Sequence, residues 1–193
     1  MGIRRELLLI VVLVAIVALL VMAVRFFNVN VVEADASNFV MEDLESKYPY
    51  ADIGIMDISS HYNEAGGKYF EVKAKVTNAP ETKCPERSHI YYNYPVQNFV
   101  PQPPEVITKN CVVCSEGICN IAFSEEAIIA SHTFEGTDAV GTYLQANQNA
   151  IPYVNENNNS WEVVWNSQTA DSYYVVELHR NGSILQLEQI SKS

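Results

Sequence analysis

Residues Lys68–Asn78 read KYFEVKAKVTN, and this stretch decides the fold class. Phe70, Val72, Ala74 and Val76 alternate with Tyr69, Glu71, Lys73 and Lys75. Successive side chains of a strand point to opposite faces, so the alternation predicts one apolar and one polar face. The apolar face needs a second layer, and a helix is its usual cover. One stands upstream. Ser37–Tyr48 (SNFVMEDLESKY) puts Val40, Leu44 and Tyr48 at four-residue spacing, with Ser37 as N-cap and Pro49 as the stop. Ile53, Ile55 and Ile58 mark a strand between the two, and Ser88–Tyr94 follows the Pro80–Pro85 loop as a third. The class is α+β with antiparallel strands.

The downstream half reads similarly. Val106–Val113 and Ile118–Phe123 suggest a hairpin tied by its cysteines, and Ser124-Glu125-Glu126 opens a short helix with acidic residues in its first turn. Thr137–Asn149 is a further helix, ending before Pro152. Trp161–Trp165, Tyr173–His179 and Ser183–Gln189 are three strands, with Asn181-Gly182 as a hairpin turn. Phe39-Val40 and Pro49-Tyr50 find counterparts in Tyr143-Leu144 and Pro152-Tyr153, and Lys68–Val72 in Ser172–Val176, an offset of 103–104 residues. That spacing suggests an internal duplication of a unit in which one helix packs on three or four antiparallel strands. From Thr137 through Trp161–Trp165 and Tyr173–His179 to Asn181–Leu185, this half resembles the PepSY and cystatin-like group. The resemblance implies one helix against a meander that ends in a glycine turn and a short apolar strand. His179-Arg180-Asn181-Gly182 stands where PepSY turns often carry Asp and Thr-Gly-Lys.

Ahead of both halves, Leu7–Val24 reads LLLIVVLVAIVALLVMAV, eighteen positions without a polar side chain. A helix of that length covers about 27 Å, close to the hydrocarbon core of a bilayer. Arg4 and Arg5 before it and Arg25 after it favour a cytoplasmic N-terminus. A cleaved signal peptide would have a shorter apolar run followed promptly by small residues, whereas Arg25-Phe26-Phe27 follows this one. Gly2 and Glu6 before the run also permit a pilin-like reading, a structural subunit of a surface filament. The expected organisation is a tail and transmembrane anchor at 1–27, a linker at 28–36, a first α+β unit at 37–110 and a second at 111–193. The expected localisation is the cell membrane, single-pass, with the C-terminal domain extracytoplasmic.

With 12 basic and 23 acidic residues the chain carries −11. Nucleic acid is therefore excluded as an expected partner, because phosphate binding needs a basic surface. Cys84, Cys111, Cys114 and Cys119 all lie in the expected outer part, and an even count in an oxidising compartment reads as two disulfides. Of the three pairings, Cys84 with Cys111 and Cys114 with Cys119 is favoured, the latter across the Ser115-Glu116-Gly117 turn. Cys111-Val112-Val113-Cys114 has redox spacing, so a thiol–disulfide oxidoreductase is an alternative; a helix start, which would lower its thiol pKa, is missing. Zinc would want two separated pairs, and Cys84 has only His89 nearby.

Glycine-rich phosphate loops, a nucleophile elbow and metalloprotease motifs do not occur in the sequence. His61, His89, His132 and His179 are far apart and read as surface or strand-end residues; Glu42-Asp43 and Glu125-Glu126 read as solvated helix faces. No catalytic, metal or cofactor-binding residue is expected, and the chain is read as a non-enzyme. Tyr91 and Phe99, set among tyrosines and prolines, are the candidates for contact with a protein or peptide partner. Asn158 and Asn181 head glycosylation sequons in expected turns. The function these features suggest is binding or scaffolding at the cell envelope.

Overall fold

A computed structural model describes residues 12–20, 22, 31–64, 66–95, 102–114 and 119–192. The chain divides into two compact units, Met1–Val32 and Glu33–Ser193. In the first, residues 12–20 and 22 are helical. The expected anchor at Leu7–Val24 lies partly outside the described residues. No described helix is long and apolar enough to cross a membrane. This corrects the expectation of a single-pass transmembrane anchor and the cell-membrane localisation drawn from it.

The second unit contains two separate antiparallel sheets of four strands, within the expected three or four strands per unit. Helix α1 (Glu33–Lys47) precedes β1 (Asp52–Tyr62), β2 (Lys68–Asn78), β3 (Glu86–Tyr94) and the two-residue β4 (Glu105–Val106), paired in that order. Helices α2 (Ser124–Thr133) and α3 (Asp138–Ala146) precede β5 (Ile151–Glu156), β6 (Ser160–Asn166), β7 (Ser172–His179) and β8 (Ile184–Ser191), also in sequential order. At an offset of 104 residues β2 falls on β7, the third strand of its sheet, and β1 on β6; β5 has no counterpart strand. The halves are therefore not copies of one helix-plus-meander plan, and the second also differs from the PepSY/cystatin-like pattern in carrying two helices.

Helix α1 starts four residues earlier than expected, so Ser37 lies inside it rather than at its cap, and 33–36 is helix rather than linker. Its buried side chains Ala36, Val40 and Leu44 cover the inner face of the first sheet, where Phe70, Val72, Ala74 and Val76 are also buried. At Met56 strand β1 bulges, so that Ile55 pairs with Ala74 and Asp57 with Lys73. The extra residue leaves Met56 and Asp57 together on the outer face.

In the second half α2 packs on β5, β6 and β7. The core there gathers Ile121, Ile128, Val140, Leu144, Trp161, Val163, Trp165, Val176 and Leu178. Both indoles satisfy their N–H inside it: Trp161 Nε1 donates to Ile121 O and Trp165 Nε1 to Ser131 Oγ, each at 2.9 Å. The expected hairpin at 106–123 is replaced by β4 and an isolated bridge between Lys109 and Val112. The β7–β8 turn is longer than two residues. His179 N donates to Ser183 O and Gly182 N to His179 O, both at 2.8 Å. Gly182 has φ +86°, and a Cβ there would lie 2.6 Å from the Phe134 ring and 3.1 Å from Cys119 Sγ, so both backbone and packing require glycine.

The cysteines form two disulfides, Cys84–Cys111 and Cys114–Cys119, the pairing favoured from the sequence. Their sequence separations are 27 and 5. The chain-entropy relation assigns about 3.5 kcal/mol to the longer loop and about 2 kcal/mol to the shorter. The Cys84→Ser/Cys111→Ser variant is expected to lose more stability in urea unfolding than Cys114→Ser/Cys119→Ser. Equal losses would show that something other than loop closure sets them.

Candidate functional site

The first sheet turns its polar face outward, and the start of α2 covers one end of it. Thr77 on β2, Arg87 and His89 on β3, and Glu125 on α2 meet there, all buried. Arg87 Nη1 donates to Glu125 Oε2 at 2.8 Å, and Thr77 Oγ1 donates to Glu125 Oε1 at 2.7 Å. The guanidinium also lies over the Phe123 ring, 3.6 Å from its centroid, and reaches Met56 Sδ at 3.8 Å from the bulge. Every heteroatom at the seam thus has a partner, as buried charge requires.

The chain of bonds continues toward the open part of the face. Arg87 Nε lies 3.2 Å from His89 Nε2. Arginine can only donate, so Nε2 is the acceptor, and the ring proton sits on Nδ1, which donates to Glu105 Oε2 at 3.1 Å. Glu105 accepts a second bond from Tyr91 OH at 2.8 Å and pairs with Lys73 Nζ at 3.6 Å. Lys73 in turn sits 5.3 Å from the Tyr91 ring centroid. Glu105 is half exposed, so the chain runs from solvent to interior: Lys73 and Tyr91 on Glu105, then His89, Arg87, Glu125 and Thr77.

The charges follow from this geometry. Burial holds His89 below the ordinary histidine range, helped by the Lys73 and Arg87 charges and opposed by Glu105. Hydrogen bonds from Tyr91 and His89 hold Glu105 below the usual carboxylate range, with the Lys73 charge adding to them. For Glu125 burial pushes upward, but bonds from Thr77 and Arg87 more than offset it and the carboxyl stays low. Glu126 goes the other way. Burial raises it although Ala122 N–H and Phe123 N–H donate to its Oε2 at 2.6 and 3.0 Å. A histidine–carboxylate pair suggests a general base, but here the imidazole lone pair is taken by arginine. Both ring nitrogens of His89 are thus engaged, one by Arg87 and one by Glu105.

His89 and His132 are both held below their ordinary 6.5, the latter chiefly by burial. An unfolded histidine then takes up protons before the folded one does. Stability is complete above about pH 6.5 and falls as pH drops toward the folded values. Urea unfolding at about pH 7.5 and about pH 5.5 should show this loss, and His89→Gln should reduce it. A loss as large as that of the wild type in both His89→Gln and His132→Gln would place the cause elsewhere.

Several sequence expectations change at this site. His89 is buried rather than at the surface, and Glu125 and Glu126 are buried rather than on a solvated helix face. His132 is half-buried with its ring edge on Trp165, while His61 is exposed. Cys111 and Cys114 belong to different disulfides, so they do not form one redox pair. Tyr91 lies on the open face within the network; Phe99 lies outside the described residues. Asn158 is exposed between β5 and β6. Asn181 is exposed in the β7–β8 turn, its Oδ1 accepting from Ser183 N–H and Ser183 Oγ at 3.0 and 2.8 Å. Arg87, Glu105 and Thr77 were not singled out by the sequence. Their one signal is the run Glu71, Lys73, Lys75, Thr77, where the outer face of β2 changes from charged residues to a hydroxyl.

The fold and seam define a disulfide-stapled pair of helix-covered antiparallel sheets joined through a buried ion pair. No protein-family model matches the chain, and no curated protein does. Among solved structures it is similar to a Clostridium difficile 630 protein described as a "putative lipoprotein", at 12% identity over 78% of this chain and 90% of that one, with a TM-score of 0.23. A likeness at that score carries no argument about fold or function.

Proposed function

We propose that the chain is a non-enzymatic binding domain of an oxidising compartment such as the cell envelope, and that the open outer face of its first sheet receives a protein or peptide partner. The observation that carries this reading is the Lys73–Tyr91–Glu105 group. An aromatic ring with one polar end lies there between an ammonium and a half-exposed carboxylate. Tyrosine held in this way has little rotamer freedom to lose on binding, and the flanking charges suit the polar rim of an interface. Two complete disulfides support the compartment, because cytosolic thiols are kept reduced. The capped His89 supports a non-enzymatic role. The −11 charge favours a protein or peptide over nucleic acid.

Crosslinking on intact cells with identification of the captured protein tests the reading. Tyr91→Ala is expected to lose a partner that the wild-type chain captures, with unfolding midpoints that differ little. Capture unchanged by both Tyr91→Ala and Lys73→Ala would remove this face from the interaction.

A further inference from the structure

Three donor side chains meet beside the Pro80–Pro85 loop. Cys84 Sγ, Cys111 Sγ and a ring nitrogen of His132 all lie within 4.8 Å of one another. They come from three distant segments: the loop after β2, the segment after β4, and the last turn of α2. His132 is held in place from two sides. Its Nε2 donates to Lys83 O at 2.7 Å, and its ring edge packs on Trp165 with centroids 5.6 Å apart. Lys83 O also lies 3.8 Å from Cys111 Sγ. An open cleft of about 650 Å³ adjoins the loop, with Glu81, Thr82 and Lys83 on one side and Asn147–Ile151 on the other.

We propose that Cys84, Cys111 and His132 form a redox-gated site for a soft or borderline cation, closed to metal as the disulfide and open to zinc(II) once reduced. Two thiolates and an imidazole are a zinc donor set, and the fourth position is left to water. Ligand atoms of a tetrahedral zinc site stand roughly 3.5–3.8 Å apart; the three donors now lie within 4.8 Å of one another, and the two sulfurs have to separate to that spacing when their bond opens. A ligating histidine characteristically donates its other ring N–H to a carbonyl or carboxylate, and Lys83 O is already in place for that bond.

The chemistry balances with a dithiol as reductant. One reductant thiolate attacks a sulfur of the Cys84–Cys111 bond, and the other cysteine sulfur leaves and takes a proton. The second reductant thiol then displaces the first cysteine from the mixed disulfide, leaving two cysteine thiols and the cyclic disulfide of the reductant. Two electrons and two protons move to the protein. Zinc(II) entry releases the two thiol protons, leaving the dithiolate–imidazole complex. Metal and disulfide thus compete for the same two sulfurs, and the ion reports the redox state of the compartment. This inference goes beyond the binding reading and does not depend on it.

Cobalt(II) titration of the full chain tests it, because thiolate ligation gives a charge-transfer band and tetrahedral geometry an intense visible absorption. The dithiol-reduced chain, with excess reductant removed under anaerobic conditions, is expected to bind one cobalt(II) and release it to zinc(II); the oxidised chain should show neither absorption. His132→Ala is expected to weaken the reduced site at least about tenfold. Cys84→Ser/Cys111→Ser should abolish it, and Cys114→Ser/Cys119→Ser should leave it intact. The proposal is overturned if the reduced chain binds no cobalt(II), whether folded or unfolded by circular dichroism. It is equally overturned if binding is indifferent to His132→Ala, or if it is lost with Cys114 and Cys119.

Discussion

Arg87→Ala is expected to destabilise the chain by about 3–5 kcal/mol, the penalty for leaving one member of a buried ion pair without its partner. Both partners are almost wholly enclosed, with side-chain exposures of 6% for Arg87 and 5% for Glu125, so water cannot replace the guanidinium. The carboxylate would keep Thr77 Oγ1 at 2.7 Å, Ser124 Oγ at 3.2 Å and a bond from the backbone N–H of Glu125 itself. His89 Nε2 would lose its donor as well. In a domain of this size the loss corresponds to a fall in Tm of roughly 6–20 °C. Arg87→Lys should recover only part of it, since one ammonium cannot serve Glu125 and His89 with the fixed fork of a guanidinium. The double variant Arg87→Met/Glu125→Leu should recover most of it, because apolar pairs of similar volume replace buried ion pairs at little cost.

The pH dependence of that loss separates charge from packing. In the native seam the Glu125 carboxyl is held below its ordinary 4.5. Its contribution is complete above that value and is lost as pH falls through the folded pKa. Without Arg87 the same buried carboxyl has to rise, and protonation then relieves it. The gap between wild type and Arg87→Ala should therefore narrow as pH falls through the variant's raised value, above the ordinary 4.5, and on through the lowered value of the wild type. A gap independent of pH would mean that Arg87 matters through its contacts with Phe123 and Met56 rather than through its charge.

What was legible in the sequence was local. The period-two pattern of Lys68–Asn78 set the bounds of β2, and β6, β7 and β8 follow their apolar runs to within one or two residues. Strand β5 was hidden by Pro152, which reads as a helix stop. It fits because β5 is an edge strand, where a missing N–H need not break a ladder. The runs around Val112 and Ile121 are apolar enough to suggest a hairpin, but their cysteines are fixed elsewhere, to Cys84 in one case and across a short loop in the other. The seam was not legible at all. Arg87 and Glu125 lie 38 residues apart, and Thr77 and Glu125 lie 48 apart. Strand alternation assigns Arg87 and His89 to a polar face; whether another segment covers that face is a tertiary matter that no local window contains. Glu125 and Glu126 carry the same ambiguity, because acidic residues in a first helical turn serve the dipole whether solvated or buried.

The second large effect is expected at Trp165, the largest fully buried side chain. Trp165→Ala should cost about 3–5 kcal/mol, the range for deleting a buried aromatic whose cavity cannot fully collapse. Collapse is restricted here on every side. Pro152 on β5 and Tyr174 on β7 are its neighbours in the sheet, and α2 covers it from above through Ser131 and His132. Trp165→Phe keeps most of the apolar area and loses the indole N–H, so it should cost about 1–2 kcal/mol. Ser131 Oγ still donates to Ile128 O at 2.7 Å in that variant, which limits the penalty of the broken bond. Denaturant midpoints at unchanged slope measure both numbers. The ratio between them is the informative quantity. A phenylalanine variant as damaged as the alanine one would show that the Ser131 bond, rather than ring burial, fixes α2 on the second sheet. A small phenylalanine effect with a large alanine one assigns that task to packing, and with it the position of His132 one residue further along the helix.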